Sequence, residues 1–236
     1  MMRVLTDLPL RTYASLPDGG KPSHAAVFFH GYGADGQDLS GISGLLRQRL
    51  PDAAFYFPDA PEELGFFDGY QWFDLDGFNP AELADPQAGE RYLKTLMPLA
   101  ERARATTDAY LRAVLENAGV PASKAALCGF SQGGLMAVYT ALRFDETLAA
   151  AVGMSAVAVT FDGTVFTPDK IVSRPPVTLI HGDADNVVPP AVFDLNRRNL
   201  AAAGVDVETY VVSGLMHGID MTAAGHLSAA LEKAFV

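Results

Sequence analysis

Short apolar runs recur along this 236-residue sequence, and most of them are followed by a loop and then by a helical pattern. These runs occupy positions 25–29, 53–57, 125–128, 149–154 and 176–180. Strands that are buried on both faces of a parallel sheet are apolar throughout, whereas half-exposed strands alternate with polar residues. The alternation of such strands with helices therefore predicts an α/β fold, in which a mainly parallel central sheet carries helices on both faces.

The remaining elements follow from periodicity and from the positions of glycine and proline. The sequence predicts short leading strands at 4–5 and 11–13, a further strand at 206–212, and helices at 39–50, 90–118, 132–144, 190–203 and 220–235. Pro98 is expected to kink or divide the helix at 90–118, because proline lacks an amide hydrogen and clashes with the preceding turn. The segment 155–176 shows no clear periodicity and is too short for a large cap domain.

The length and the charge of the chain restrict its class. A chain of 236 residues is expected to form one domain over 1–236. Its formal net charge of -11 repels phosphate backbones and anionic lipids, so neither nucleic-acid binding nor stable membrane insertion is expected. The first residues do not resemble a secretory leader, which predicts a cytoplasmic protein. Cys128 is the sole cysteine and is expected in the core; a homodimer and a monomer are both open.

Residues Gly129-Phe130-Ser131-Gln132-Gly133 lie between an apolar run and a helical pattern. This is a G-x-S-x-G arrangement, in which two glycines let a strand turn sharply into a helix and expose a serine hydroxyl. Ser131 is therefore the candidate nucleophile, and the Gln132 amide at the helix start can donate to an oxygen that becomes negative on attack. The alternative is a glycine-rich turn with a capping serine, since five-residue patterns also arise by chance.

Further polar loops follow two later strands. Asp183 and Asp185 come after the strand that ends near position 180, and His217 comes after the strand at 206–212. Since the carboxyl ends of parallel strands meet at one edge of the sheet, these residues and Ser131 are expected to converge there, in the chain order of an α/β-hydrolase triad. Spacing alone does not choose between the two aspartates. Asp185 is preferred because it stands at the outer end of its turn.

The loop after the strand at 25–29 supports two interpretations. Positions 31–36 read G-x-G-x-x-G, which in a nicotinamide oxidoreductase would bind a pyrophosphate, with Asp59 near the ribose. Asp35 and Asp38 argue against this interpretation, because they would stand beside the pyrophosphate. In a hydrolase the same loop brings its backbone to the nucleophile, and the Tyr32 amide is then the candidate second oxyanion donor.

The segment 51–90 contains ten acidic residues and neither lysine nor arginine. Within it, 61–78 is a long loop rich in aromatic residues, which either is clamped onto the core or lines a site. For the second case, Trp72 and Phe73, together with Leu215 and Met216, are the candidate substrate-binding residues. We expect short loops of this kind to roof the groove, because no large cap is available.

Five motifs together resemble the bacterial carboxylesterase/phospholipase family of α/β-hydrolases, to which the acyl-protein thioesterases are related. They are FFHGYGADGQDL at 28–39, QWFDL at 71–75, CGFSQGG at 128–134, HGDADNVVP at 181–189 and GLMHGI at 214–219. The resemblance implies Ser131, Asp185 and His217 as a catalytic triad, and the amides of Tyr32 and Gln132 as the oxyanion hole. The segments 61–78 and 155–176 depart from the family pattern, which bears on the substrate.

The predicted function is that of a serine carboxylesterase, which hydrolyses small esters with short or medium acyl groups through an acyl-enzyme on Ser131. An acyl thioesterase or a lysophospholipase would use the same triad. A catalytically dead binding protein on a hydrolase fold is the alternative from another class. The predicted chemistry needs neither a metal nor a cofactor, and the expected partner is a small-molecule ester.

Overall fold

The computed structural model describes residues 2–65, 68–75, 82–83 and 85–236. Its strands are β1 (Met2–Leu5), β2 (Thr12–Ser15), β3 (His24–Phe29), β4 (Ala53–Pro58), β5 (Glu62–Glu63), β6 (Tyr70–Gln71), β7 (Ala125–Phe130), β8 (Ala150–Met154), β9 (Val177–Gly182) and β10 (Val207–Val212). Its helices are α1 (Gly36–Ser40), α2 (Ser43–Arg49), α3 (Pro86–Ala118), α4 (Gln132–Arg143), α5 (Pro190–Ala202) and α6 (Met221–Ala234).

The central sheet formed by the described residues has the strand order β1-β2-β4-β3-β7-β8-β9-β10. All neighbouring pairs from β4 to β10 are parallel, whereas β1 pairs with β2 and β2 with β4 in antiparallel fashion. The short strands β5 and β6 form a separate hairpin. The prediction of a mainly parallel central sheet is therefore confirmed.

Apolar residues cover both faces of the sheet, because successive side chains of a strand point to opposite sides. In β3, Val27 and Phe29 pack in the core on the side of α3, α4 and α5, while Ala26 and Phe28 pack in the core on the side of α2 and α6. Cys128 of β7 is fully buried in the second core, and burial raises the pKa of its thiol. Helices lie on both faces, as predicted.

Two helical predictions differ from the structure. The pattern at 39–50 is divided into α1 and α2, and α1 begins earlier, because Asp35 caps it by accepting a hydrogen bond of 2.8 Å from the Asp38 amide. The helix predicted at 90–118 begins at Pro86 and continues through Pro98 as one element. Leu93, Leu96 and Leu111 of α3 are buried in one core, and this continuous packing outweighs the lost hydrogen bond of a single proline.

The segment between β8 and β9 forms no cap domain. Its described secondary structure is one 3₁₀ turn, Pro168–Lys170, and its length predicted that no cap would form.

In the aromatic loop at 61–78, Phe66, Phe67 and Phe78 lie outside the described residues. Across the described part of the chain, no helix combines the length and the apolar character that crossing a bilayer requires.

Candidate active site

Ser131 occupies the sharp turn between β7, which ends at Phe130, and α4, which begins at Gln132. Its backbone angles are φ 54° and ψ -118°, a strained conformation for a residue with a side chain. Such strain persists only where neighbouring structure holds it. The Ser131 amide donates to Met154 O (3.0 Å), and the Val157 amide donates to Ser131 O (3.3 Å). These bonds hold the serine at the carboxyl edge of the sheet.

Two glycines allow the turn to pack this closely. A Cβ atom on Gly129 would lie 2.1 Å from Gly133 O, and a Cβ atom on Gly133 would lie 2.2 Å from Phe29 O. Both contacts are with backbone atoms and are far below van der Waals distance. A side chain at either position would therefore push α4 away from β3 and β7 and displace the serine.

His217 and Asp185 are joined by a hydrogen bond at the same edge of the sheet. His217 Nδ1 lies 2.9 Å from Asp185 Oδ2, although the two loops follow different strands. The buried Asp185 carboxylate also accepts hydrogen bonds from the amides of Val187 (3.0 Å) and Val188 (2.8 Å) through Oδ1. Burial raises the pKa of this carboxyl, but these hydrogen bonds outweigh burial and hold the pKa below its ordinary value. The ionised carboxylate keeps a proton on Nδ1 of the imidazole, so that Nε2 can act as a base.

The other candidate carboxylates have different partners. Asp183 Oδ1 accepts a hydrogen bond of 2.6 Å from the Gly214 amide, in the loop that follows β10. Asp162 accepts hydrogen bonds within its own loop, and Asp220 caps α6. Among the carboxylates of the described residues, Asp185 is the one hydrogen-bonded to the imidazole. Asp183 instead supports the loop that carries the imidazole.

The imidazole lies beside the sharp turn. The ring centroid of His217 is 4.7 Å from that of Phe130, the residue before Ser131. No hydrogen bond joins Ser131 Oγ to His217 within the residues that the structure describes. Contacts of this kind often tighten only when a substrate binds. The structure thus brings the serine, the imidazole and the carboxylate to one edge, with the imidazole and the carboxylate already bonded.

The loop after β3 places Tyr32 next to the serine. A Cβ atom on Gly31 would lie 3.3 Å from Ser131 Cβ, so the loop backbone packs directly against the nucleophile. The Gly33 amide donates to Tyr70 O (2.9 Å) and the Tyr70 amide donates to Ala34 O (2.9 Å), so this loop is hydrogen-bonded to β6. Neither the Tyr32 amide nor the Gln132 amide donates a loop or cap hydrogen bond to a described residue. Both amides are therefore free to bind an oxyanion.

Trp72 and Phe73 lie in the core and not over a groove, which corrects their predicted role in substrate binding. Their side chains are 1% and 4% exposed. The Gln132 side chain accepts a hydrogen bond from the Trp72 amide (3.0 Å) and donates to Phe73 O (2.7 Å). The indole packs on Phe29 and donates to His30 O (2.8 Å), so its apolar body is buried and its N–H is satisfied. This part of the aromatic loop is clamped onto the core.

The other two candidate substrate-binding residues lie at the surface beside His217. Leu215 is half-buried, and Met216 is 57% exposed. Their role in substrate binding stays a prediction.

Comparison with known proteins identifies the family. A family model described as Phospholipase/Carboxylesterase matches residues 13–234. The chain belongs to the phospholipase/carboxylesterase family. The structure of esterase PE8 has 32% sequence identity and a TM-score of 0.79, with coverage of 94% of this chain and 97% of that chain. The resemblance on which the family was predicted is thereby confirmed.

Two more distant structures share the fold. A carboxylesterase from Mesorhizobium loti has 19% identity and a TM-score of 0.74, and the match covers 98% of each chain. Acyl-protein thioesterase 2 from Zea mays has 22% identity and a TM-score of 0.66, and the match covers 96% of this chain and 99% of that chain. These two neighbours support the α/β-hydrolase fold of this phospholipase/carboxylesterase member.

The glycine pattern at 31–36 has another use in this member of the phospholipase/carboxylesterase family than in an oxidoreductase. Asp59 is buried, and its Oδ1 accepts a hydrogen bond of 2.9 Å from the Gly36 amide. The carboxylate that would bind a ribose therefore anchors the glycine loop internally. The helix α1 that follows has five residues and an aspartate cap, so its first turn is already occupied by an acidic side chain.

Sequence reasoning missed the contribution of the Gln132 side chain. It considered only the Gln132 amide, whereas the side chain links the turn to Trp72 and Phe73, some 60 positions earlier in the chain. No local pattern announces a contact over that separation. The one sequence signal was a polar residue, Gln132, at the start of an otherwise apolar helix.

Two buried histidines of this phospholipase/carboxylesterase member predict how its stability depends on pH. Burial lowers the pKa of both His30 and His181, so the unfolded chain binds more protons than the native protein below about pH 6.5. This contribution to stability is therefore fully present above that pH and is expected to be lost as the pH falls from about 6.5 to 5, by up to about 1.4 kcal/mol per pH unit for each histidine. Urea midpoints across this range measure the slope.

The control for this prediction is His181→Gln. The slope of its free energy of unfolding against pH should be smaller than that of the wild-type protein by the contribution of one proton, up to about 1.4 kcal/mol per pH unit. Midpoints that do not change between these pH values, or equal slopes for the two proteins, would contradict it.

Proposed function

We propose that this protein is a serine carboxylesterase that hydrolyses small carboxylic esters through an acyl-enzyme on Ser131. The observation that carries the proposal is the hydrogen bond of 2.9 Å between His217 and Asp185, beside a serine held at φ 54° on the adjoining turn. A packing role for Ser131 requires neither the strain nor an imidazole with its Nε2 available. Nucleophilic catalysis requires the imidazole base, and in an α/β-hydrolase the nucleophile is held on a sharp, strained turn of this kind.

In the proposed mechanism, Ser131 Oγ attacks the ester carbonyl carbon while His217 Nε2 accepts the serine proton. The carbonyl oxygen becomes negative and is stabilised by the amides of Tyr32 and Gln132. Collapse of this intermediate breaks the bond to the alcohol, which leaves with the proton from His217. Water then attacks the acyl carbon while His217 Nε2 accepts its proton, and His217 returns this proton to Ser131 Oγ as the bond to the acyl group breaks and the acid is released. Asp185 holds the imidazole proton on Nδ1 and stabilises the imidazolium.

The nature of the relatives favours esters over thioesters as substrates. Esterase PE8 has 32% identity to this chain, whereas the Zea mays thioesterase has 22% and supports the fold alone. Ser131 stands on the strained turn and His217 is hydrogen-bonded to Asp185 at the same edge of the sheet, which argues against a catalytically dead binding protein.

An apolar groove between α2 and the segment that follows His217 in the chain supports a preference for short or medium acyl groups. It has a volume of about 600 Å³ and is lined by Ile42 and Leu45 on one side and by Ile219 and Met221 on the other. Ile219 is two positions beyond His217, and Met221 is largely exposed. The groove is open to solvent, and no cap formed by the described residues covers it, so the far end of a long acyl chain would stay hydrated.

We expect kcat/KM for p-nitrophenyl esters to rise from acetate to butyrate or octanoate and to fall at palmitate. The reason is that each added methylene gains burial only while the groove covers it. The test measures this series beside an acyl-CoA and a lysophosphatidylcholine, with Ser131→Ala as the blank for non-enzymatic hydrolysis. A kcat/KM that climbs through palmitate, or that is highest for the lysophospholipid, would favour the lysophospholipase alternative. Highest activity on acyl-CoA would favour a thioesterase.

A further inference from the structure

Both ring nitrogens of His30 have backbone partners, and together these partners determine where its proton lies. His30 Nε2 is 2.9 Å from the Ala60 amide, which can only donate, so Nε2 is an acceptor without a proton. His30 Nδ1 therefore carries the proton, and it donates to Gly31 O over 2.7 Å. The ring is 1% exposed, and burial lowers its pKa, so the neutral form is favoured.

The carbonyl that His30 binds belongs to the same peptide group as the Tyr32 amide. In a planar trans peptide, the C=O of one residue and the N–H of the next point in opposite directions. A bond that fixes Gly31 O therefore also fixes the direction of the Tyr32 N–H. The Ala34 amide contacts the same oxygen at a longer distance of 3.3 Å, so the histidine bond is the shorter of the two.

This peptide group lies against the proposed nucleophile. A Cβ atom on Gly31 would meet Ser131 Cβ at 3.3 Å, and the Tyr32 amide makes no loop hydrogen bond to a described residue. Glycine at position 31 leaves the peptide free to rotate, since it lacks the Cβ that restricts other residues. Rotation of the Gly31–Tyr32 peptide would turn the Gly31 carbonyl oxygen toward the oxyanion in place of the Tyr32 N–H. The oxyanion would then be repelled by a carbonyl oxygen instead of being stabilised by a hydrogen-bond donor.

We propose that His30 is a positioning residue, which orients the Gly31–Tyr32 peptide so that the Tyr32 amide faces the oxyanion formed on Ser131. The inference rests on the proposed esterase function. It assigns to the histidine of the HGYG motif a role in transition-state stabilisation that it performs through the backbone and not by touching the substrate. The Ala60 amide contributes indirectly: by donating to Nε2 it keeps the proton of His30 on Nδ1, which is the tautomer that can donate to Gly31 O.

Two substitutions separate this role from simple packing. In His30→Asn, the side-chain amide nitrogen occupies the position of Nδ1 and can still donate to Gly31 O, but the contact with the Ala60 amide is lost. In His30→Gln, the side chain reaches Ala60 and can accept its hydrogen bond, but no donor remains near Gly31 O. A positioning role makes the glutamine variant the less active one, whereas a structural tie to Ala60 makes the asparagine variant the worse one.

For p-nitrophenyl butyrate we expect kcat of His30→Gln to fall by about 10²-fold with little change in KM, because one oxyanion donor is misdirected. For His30→Asn we expect kcat within about 10-fold of the wild type. Inhibition by a trifluoromethyl ketone, whose adduct with Ser131 carries the oxyanion, should weaken in His30→Gln in parallel with kcat/KM. Wild-type kcat in His30→Gln, or equal losses in the two variants, overturns the proposal.

The wild-type protein provides an independent measurement in case a variant fails to fold. The ¹⁵N NMR spectrum of the imidazole is expected to show protonated Nδ1 and unprotonated Nε2 for His30, and the opposite tautomer overturns the proposal. Ester hydrolysis that survives Ser131→Ala would refute the proposed function, and the role of His30 with it. Hydrolysis that depends on Ser131 but not on the His30 donor refutes the positioning role alone.

Discussion

Replacing Ser131 with alanine is expected to lower kcat for ester hydrolysis by at least about 10³-fold while the fold remains intact, because the members of a triad act as a unit. Ser131 is largely buried, at 9% exposure, but the fold does not depend on its hydroxyl, since the hydrogen bonds that hold this turn are made by the backbone of Ser131. Kinetics with p-nitrophenyl butyrate and a melting temperature measure the two effects separately. A fluorophosphonate should label Ser131, as mass spectrometry of the intact and digested protein would show.

Ser155 offers a matched control for this substitution. It is a serine at the end of the neighbouring strand β8, it is buried, and it also has a positive φ, of 42°. Ser155→Ala is expected to retain kcat within a few-fold, since the proposed chemistry uses no second hydroxyl. Near-full turnover in Ser131→Ala, or label found only on another residue, would end the assignment of Ser131 as nucleophile.

The substitution Asp185→Asn is expected to reduce kcat by about 10⁴-fold, the size of effect known for the corresponding change in a serine protease. The asparagine oxygen can still accept the hydrogen bonds from Val187 and Val188, which orient Oδ1 at present. The amide nitrogen then faces His217 Nδ1 and forces the proton to Nε2. The imidazole keeps its place but can no longer accept the serine proton, so the loss falls on kcat.

Asp183→Asn is the control for this change, because it alters the same turn in the same way. Its side-chain oxygen can still accept the hydrogen bond from the Gly214 amide, so kcat should stay within a few-fold and any effect should appear in stability. Measuring kcat and melting temperature for both variants compares the two roles. An active Asp185→Asn beside an inactive but folded Asp183→Asn would reverse the assignment of the acid.

Much of the fold could be predicted because its strands are set by local sequence. The strands β3, β4 and β7 to β9 are apolar on both faces, and such runs have few alternatives to the interior of a parallel sheet. The division between α1 and α2 and the continuity of α3 could not be predicted in the same way. Both depend on which residues are buried in the folded protein. Packing against the core stabilises α3 at Pro98, and local helix propensity does not include this packing.

The candidate site divides in a similar manner. The chain order of serine, acid and histidine, each after a strand, indicated where they would meet, because the carboxyl ends of parallel strands share an edge. The roles of Trp72 and Phe73 could not be read from their type. An exposed aromatic loop and a clamped one have the same composition, and burial decides between them.

The sequence alone is sufficient to predict most of the elements and the edge of the sheet at which the candidate residues lie. Apolar runs, glycine spacing and the order of strands along the chain are read from neighbouring residues, and short-range forces act on them. Which side chains become partners depends on the folded structure. Asp185 bonds to His217 across 32 positions, Asp183 bonds to Gly214 across 31, and His30 accepts from Ala60 across 30. Asp183 and Asp185 are of the same type and two positions apart, yet they have different partners. The relative placement of whole loops, and not the residue type, fixes each of these distances.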